Sequence, residues 1–364
     1  MHVLQIAPQY FPNVGGVERV VQKIGENLVA RGIRATVYSV DRSYSLRKKE
    51  DINGVSVRRF LPLRGNPLFL PEPEFYTALR QEKADIIHAH SIHTLPLFLA
   101  AAFKHRNQEL LLQPHYHRFG QSSLRNSLFS LYKLGLRVVA IPGASVIIAN
   151  SEYEKKILCE DFPGCNNVVL MPEGLDVDEV QNVKRDPAVP KQALYVGALR
   201  QYKNVDMVLK GFAWLKKRMD SDFRLVIIGT GPQRDSLIAL ATKLNIASSV
   251  EWKFNLSREQ LLCEYAKASV FILLSHLESF SIAVYEALLI GVPTVVLGHG
   301  PLENLVRDGF AEGVSSLASE VIAKAMRTAS SKTYPRISRG PKVLDWQDYT
   351  DRIVSIYRKL LEMR

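Results

Sequence analysis

Three cysteines in 364 residues, Cys159, Cys165 and Cys263, are too few and too irregularly spaced for a disulfide framework or a CxxC pair. Long apolar runs are missing as well. Nothing approaches the ~18 uninterrupted apolar residues of a membrane span, and Met1-His2 leads straight into the strand-like VLQIAP with no leader-like segment. Together these absences predict a cytoplasmic protein in a reducing compartment. Short-period repeats and low-complexity tracts are also lacking. Acidic residues run short in one half only: residues 1–140 hold 19 Lys/Arg against 10 Asp/Glu, in a chain of net charge +11. Such asymmetry points to an anionic partner for the N-terminal half, whether nucleic acid, an anionic membrane surface or a phosphorylated substrate.

What is present is alternation. HVLQIAP (2–8) reads as a buried strand, followed by Gly15-Gly16 and a helix with Val17, Val20, Val21, Ile24 and Leu28 at i, i+3, i+4 spacing. ATVYSV, ADIIHAH, ELLLQPH and SVIIAN continue the series. After the polar, proline-containing QNVKRDPAVPKQ (181–192), which reads as a linker, a second series runs ALYVGAL, FRLVIIGTG, SVEWKF, VFILLS and PTVVLG. Apolar runs alternating with helices predict parallel sheets covered on both faces, hence two doubly wound α/β domains, 1–180 and 181–344. Residues 345–364 form one amphipathic helix with Ile353, Ile356, Tyr357 and Leu360 on a stripe, and no sheet of its own to finish.

In open parallel sheets ligands bind beyond the carboxyl ends of strands, where loops meet helix N-termini. Gly16 opens the first helix at such a place, so its bare backbone could meet an anion. Arg200 and Lys203 in YVGALRQYKN occupy another, where cations could clamp a diphosphate. His88, His90, His93, His105, His115 and His117 crowd one segment. Zinc is disfavoured, since no cysteine or carboxylate completes a set. Histidines at strand ends suit a polar ligand better, and His115 is the best placed. Asp176-Val177-Asp178 imitates a metal-binding DxD but sits beside the linker, so a solvated turn is expected. No metal is expected at the site. In HLESFSIAVYEALLI, Glu278 lies in a post-strand loop and Glu286 about two turns along the next helix. Two acceptor carboxylates flanking helix amides suit a ligand with hydroxyls on either side of a phosphate, the layout of a nucleotide-sugar.

On these residues the sequence resembles the retaining nucleotide-sugar glycosyltransferases of family 4, which have the GT-B fold. Glu278-Ser-Phe-Ser…Glu286-Ala is similar to the family's E-x7-E signature, GGVER to its glycine loop, YVGALRQYKN to its GRLxxxKG segment, IIGTGPQRDSL to its GxGPxxxxL, ANSEYEKKIL to its xxSxxxxxxL and MPEGLD to its PNGVD. The resemblance implies two Rossmann-like domains facing a cleft, with the last helix crossing back to the N-terminal one. It implies that Glu278 binds donor-sugar hydroxyls and Glu286 the ribose. The amides of Phe280 and Ser281, with Lys203, would hold the diphosphate, and Gly16 would approach the phosphate from the acceptor side. Phe254 would lie where backbone meets the base, and His115 beside the transferred sugar. No cofactor or metal is implied. Transfer would rest on neutralising the departing diphosphate, with domain closure excluding water.

The sequence departs from the family pattern at three points. Ala198 stands where the family has Arg, leaving Arg200 to approach from two residues later. Ser281 replaces Gly, which is expected to tighten the helix start. Glu173 stands where Asn is common. For the acceptor, the segment 117–137 mixes Arg118, Arg125, Lys133 and Arg137 with Leu128, Phe129 and Leu131. A lipid-linked acceptor at an anionic membrane face is the leading expectation, with the protein peripheral on the inner face. Helix core is the alternative for those apolar residues. Nucleic acid is disfavoured because the basic segments carry mainly aliphatic neighbours. A non-catalytic lipid- or RNA-binding protein and a sugar-nucleotide epimerase are the competing functions, and UDP- and GDP-sugars stay equally open.

Overall fold

Every strand of β1 (His2–Ile6), β2 (Arg34–Val40), β4 (Val55–Phe60), β5 (Ile86–His90), β6 (Glu109–Gln113), β7 (Val146–Ala149) and β8 (Val168–Leu170) runs parallel to its neighbours; β3 (Lys49–Ile52) adds one antiparallel edge. The order is β3-β4-β2-β1-β5-β6-β7-β8. These positions belong to a computed structural model that describes residues 1–13, 15–63, 68–118, 123–188 and 191–363, with only the backbone course of 123–128. The helices of this sheet are α1 (Gly16–Ala30), α2 (Glu74–Gln81), α3 (Leu95–Phe103), α4 (Ser123–Gly135) and α5 (Glu152–Asp161). A π-helical stretch, Leu136–Ala140, prolongs α4.

The period-2 pleat divides the core into two layers. Leu4, Ile6, Ile87, Ala89, Leu110 and Leu112 face one side, whereas Val3, Ile86 and Leu111 face the other. That second layer is completed by α13 (Trp346–Glu362), whose buried Tyr349, Ile353, Val354 and Tyr357 join Val20, Val21 and Ile24 of α1. Asp345 caps α13, and Arg31, the residue that ends α1, pairs with Asp351 at 2.7 Å. The sheet from Met1 to Gly174, together with Leu344–Arg364, forms one compact unit.

Leu175–Val343 forms the other unit. Its strands β10 (Gln192–Val196), β11 (Arg224–Ile228), β12 (Val250–Lys253), β13 (Val270–Leu273), β14 (Thr294–Leu297) and β15 (Glu312–Val314) lie in the order β12-β11-β10-β13-β14-β15. All pairs are parallel, and the order reverses between β10 and β13. Its helices are α6 (Val177–Gln181), α7 (Val205–Arg218), α8 (Arg234–Lys243), α9 (Arg258–Lys267), α10 (Ile282–Ile290), α11 (Glu303–Arg307) and α12 (Ser319–Ser331). Short strands β9 (Gly174–Leu175) and β16 (Leu344–Asp345) pair with each other.

The units divide at Gly174–Leu175, a little before the 180/181 division drawn from composition. Residues read as a linker are fastened to the second unit: the Asp186 and Ala188 amides donate to the Ala266 and Lys267 carbonyls. Asp176 and Asp178 start α6, and Asp178 is exposed.

Candidate active site

In the second unit, three post-strand loops are tied together beyond the carboxyl ends of β10, β11 and β13. Gly197 and Leu199 donate to the Ile228 and Thr230 carbonyls at 3.0 and 2.9 Å. The approach is so close that a Cβ at Gly229 (φ +149) would lie 2.0 Å from the Gly197 carbonyl oxygen, so only glycine fits. After the 3₁₀ turn Gln201–Lys203, Asn204 adopts φ +53, a conformation asparagine tolerates. Its Nδ2 donates to the Leu274 carbonyl at 2.6 Å, and the His276 amide donates to the Tyr202 carbonyl. The β10 and β13 loops are thereby joined. Lys203 Nζ reaches Glu278 Oε1 at 2.5 Å, with both side chains largely buried.

Next along the chain comes Ser281 at φ +80, ψ 76, immediately before α10. Serine is held in the left-handed conformation glycine would adopt freely, at a cost of about 1–2 kcal/mol. The Phe280 ring points inward and stacks on Tyr285 at 4.1 Å, pinning the turn. The Val284 amide donates to the Ser281 carbonyl at 3.1 Å; the amides before it precede any i−4 carbonyl of α10 and carry the positive end of the helix dipole. Glu286 follows, 2 % exposed, with Oε1 2.8 Å from Arg258 Nη1. Arg258 begins α9 behind a Ser257/Gln260 capping box, and its Nε meets Glu179 of α6 at 2.8 Å. Arg200 is exposed at the start of the 3₁₀ turn. Phe254, just beyond β12, is 46 % exposed, with the Arg234 guanidinium 4.7 Å from its ring centre. A groove of about 680 Å³ runs along β12 and α9, lined by Trp252, Phe254, Leu256, Gln260 and Cys263.

In the first unit, His115 leaves β6 at φ +47. Its Nδ1 is 3.1 Å from Glu173 Oε1 and 3.2 Å from the Asn150 amide group; Nε2 is buried with no partner among the described residues. Burial pulls the imidazole pKa down. The hydrogen bond and charge of Glu173, followed by the charges of Glu154 and Glu18, outweigh burial and raise it. Glu154 accepts the Tyr116 and Asn150 amides at 2.5 and 2.7 Å, yet burial pushes its pKa up to about 7. His90 stacks on His115 at 5.9 Å between ring centres and lies tilted against His88 at 4.1 Å; His88 Nδ1 meets Tyr357 Oη at 2.7 Å. His93 stacks on His117 at 3.8 Å and also packs against Phe129. Among the described residues no group of three or more His, Cys, Asp or Glu has the arrangement to hold a metal ion. Gly16 is exposed at the first turn of α1, with open space around it.

Residues 14–179 match the model of Glycosyltransferase Family 4, and residues 176–335 that of Glycosyl transferases group 1. The chain belongs to the group 1/family 4 glycosyltransferases. A glycosyltransferase of Methanocaldococcus jannaschii is 25% identical over 100% of this chain and 99% of its own. A GDP-mannose:cellobiosyl-diphosphopolyprenol alpha-mannosyltransferase of Xanthomonas oryzae is 24% identical over 99% and 97%. The structure resembles sucrose-phosphate synthase of Thermosynechococcus elongatus, with a TM-score of 0.73 at 16% identity over 100% of this chain and 99% of that one, and the fold is GT-B. This glycosyltransferase is therefore an enzyme acting on nucleotide sugars, and the non-catalytic reading falls away.

Of the residues singled out in this glycosyltransferase's sequence, Lys203, Phe280, Ser281, Glu278 and Glu286 come together around α10, with Arg200 on the same loop as Lys203. Sequence reasoning overlooked Arg258, whose capping-box setting looks like an ordinary helix start, and the acids Glu18 and Glu154 near His115. Within the basic stretch, Arg118 pairs with Glu160 and Asp161, Lys133 pairs with Asp161 at 2.8 Å, and Phe129 is buried. Leu131, Leu134 and Val138 face solvent instead, at 73, 60 and 69 % exposure. Arg125 and Leu128 lie outside the described side chains. No helix among the described residues is long and apolar enough to cross a membrane.

Proposed function

We propose that this enzyme transfers a hexose, with retention and without a metal, from a UDP- or GDP-sugar to a hydroxyl of a lipid-linked acceptor. The observation that carries the reading is the Lys203–Glu278 pair beside the first turn of α10. Lys203 and the amides of Phe280 and Ser281 would meet the diphosphate, supplying fixed positive charge as the leaving group departs. Glu278, exchanging Lys203 for sugar hydroxyls, would orient the hexose, and Glu286 would take the ribose. Arg200 would add charge from the exposed side of the loop, Phe254 would border the base, and Gly16 would leave room for phosphate. His115 would offer Nε2, which has no partner among the described residues, to a sugar hydroxyl. The lipid-linked acceptor is supported by the Xanthomonas relative, named for a diphosphopolyprenol substrate. It is supported too by the exposed stripe Leu131, Leu134 and Val138, spaced as one helix face that could rest on a bilayer.

The test is thermal stabilisation by individual UDP- and GDP-hexoses with Glu286→Ala as control, followed by transfer to a polyprenyl diphosphate glycan. A ligand at 100 times its Kd stabilises by about 2.7 kcal/mol. Stabilisation by one donor that is lost in the variant, transfer that survives EDTA, and an unchanged anomeric configuration by NMR are the expected results. A donor that binds wild type and Glu286→Ala alike would place the nucleotide elsewhere.

A further inference from the structure

We infer that Arg258 orients Glu286 and shares its ligand, and that the two together let the enzyme discriminate nucleotides by their ribose hydroxyls. The inference rests on the donor-site reading of Glu286 given above. Glu286 projects from a helix whose neighbouring residues Val284, Tyr285, Ala287 and Leu288 are all buried. A charge so enclosed is costly unless an opposite charge faces it and hydrogen bonds hold it. Arg258 supplies that charge at 2.8 Å.

The guanidinium is itself immobilised. Its backbone is set at the start of α9 by the reciprocal Ser257/Gln260 cap, and its Nε is held by Glu179 Oε2 while Nη1 holds Glu286 Oε1. A planar fork gripped at two points fixes the plane of the carboxylate it touches, which a lysine ammonium would not do. The third nitrogen, Nη2, is shielded from solvent and has no acceptor among the described residues. A buried donor that the protein leaves unmatched points to an oxygen supplied from outside. A hydroxyl oxygen seated on the Glu286 carboxylate is such an acceptor. None of the sequence motifs includes Arg258.

The experiment titrates full-length protein with UDP, GDP and their 2′,3′-dideoxy counterparts by calorimetry, for wild type, Glu286→Ala, Arg258→Gln and Arg258→Lys, after checking each variant's melting temperature. Wild type is expected to prefer the ribose form by about 10–100-fold, the range of one or two charge-assisted hydrogen bonds. Glu286→Ala should abolish the preference. Arg258→Gln should reduce it to within about 3-fold while leaving dideoxy affinity unchanged, and Arg258→Lys should fall between, keeping charge but not the fork. A purely structural role would lower the melting temperature and leave the ribose preference intact in Arg258→Gln, which overturns the inference. If that variant does not fold, Arg258→Lys decides by the same ratio. A preference absent from wild type, or kept by Glu286→Ala, would instead overturn the donor-site reading itself.

Discussion

His115 shares its surroundings with three acids, and Glu173 does most to set its charge. Asparagine at that position would hold the ring without charging it; the carboxylate 3.1 Å from Nδ1 favours the imidazolium. Glu173→Gln should therefore lower the His115 pKa, as read from its imidazole signals in an NMR pH titration. The sign for stability follows: a raised histidine pKa stabilises the fold below the unfolded value near 6.5, and that stabilisation is lost as pH rises through the folded value. Wild type should exceed Glu173→Gln in urea midpoint by more at pH 5.5 than at pH 8. An unchanged His115 titration would show that Glu173 is only a packing neighbour. Much of this cluster was legible in advance. His115 announced itself by closing an apolar strand, and Glu173 by replacing an expected asparagine. Glu154 did not, because an acid in the first turn of a helix behind Ser151 reads as an ordinary capping and dipole partner.

Loops after strands carry the residues proposed to meet the donor, and their packing is set by backbone contacts more than by side chains. Gly229→Ala should force the β11 loop away from Gly197, carrying the Lys203 turn with it. We expect a loss of about 2–3 kcal/mol in unfolding free energy, as for other residues at special backbone conformations. A loss of UDP or GDP affinity in the folded fraction should accompany it. Calorimetric titration beside denaturant melts checks both, and wild-type binding with normal stability would refute the argument. Strand existence and order of appearance were readable because short apolar runs between polar helices leave few alternatives. The left-handed turn at Ser281 was not, since no local pattern demands φ +80 of a serine; the loops around it impose it. Nor was the π-helical stretch at Leu136, whose residues fit an ordinary helix equally well. Arg118 and Lys133 looked like part of a surface for anions but pair with Glu160 and Asp161, acids that lie far enough away in sequence to escape a local reading.

Across the whole molecule, acid should weaken the fold through its histidines. Burial, then the charge on His115, pushes His88 down to about 3; burial, reinforced by neighbouring histidines and, for His93, by Lys133, takes His90 and His93 well below their ordinary value. Each binds a proton more readily unfolded than folded, so stability falls as pH drops below about 6.5, by up to ~1.4 kcal/mol per unit per site. Glu154, raised to about 7, works in the opposite direction between pH 7 and its unfolded value near 4.5, offsetting one site. Urea midpoints should decline from pH 7 to pH 4, and His90→Asn should flatten the decline; a flat wild-type profile would contradict the buried neutral array. The path of the chain has a further consequence. The second unit is one continuous segment, but the first needs Trp346, Tyr349, Ile353 and Tyr357 to close a layer of its core. On a ribosome, where domains fold as they emerge, Leu175–Val343 can complete its core while Met1–Gly174 still lacks a wall. The half that is translated first is the half that finishes folding last, and until α13 arrives it exposes the apolar face of α1 to whatever chaperone is nearby.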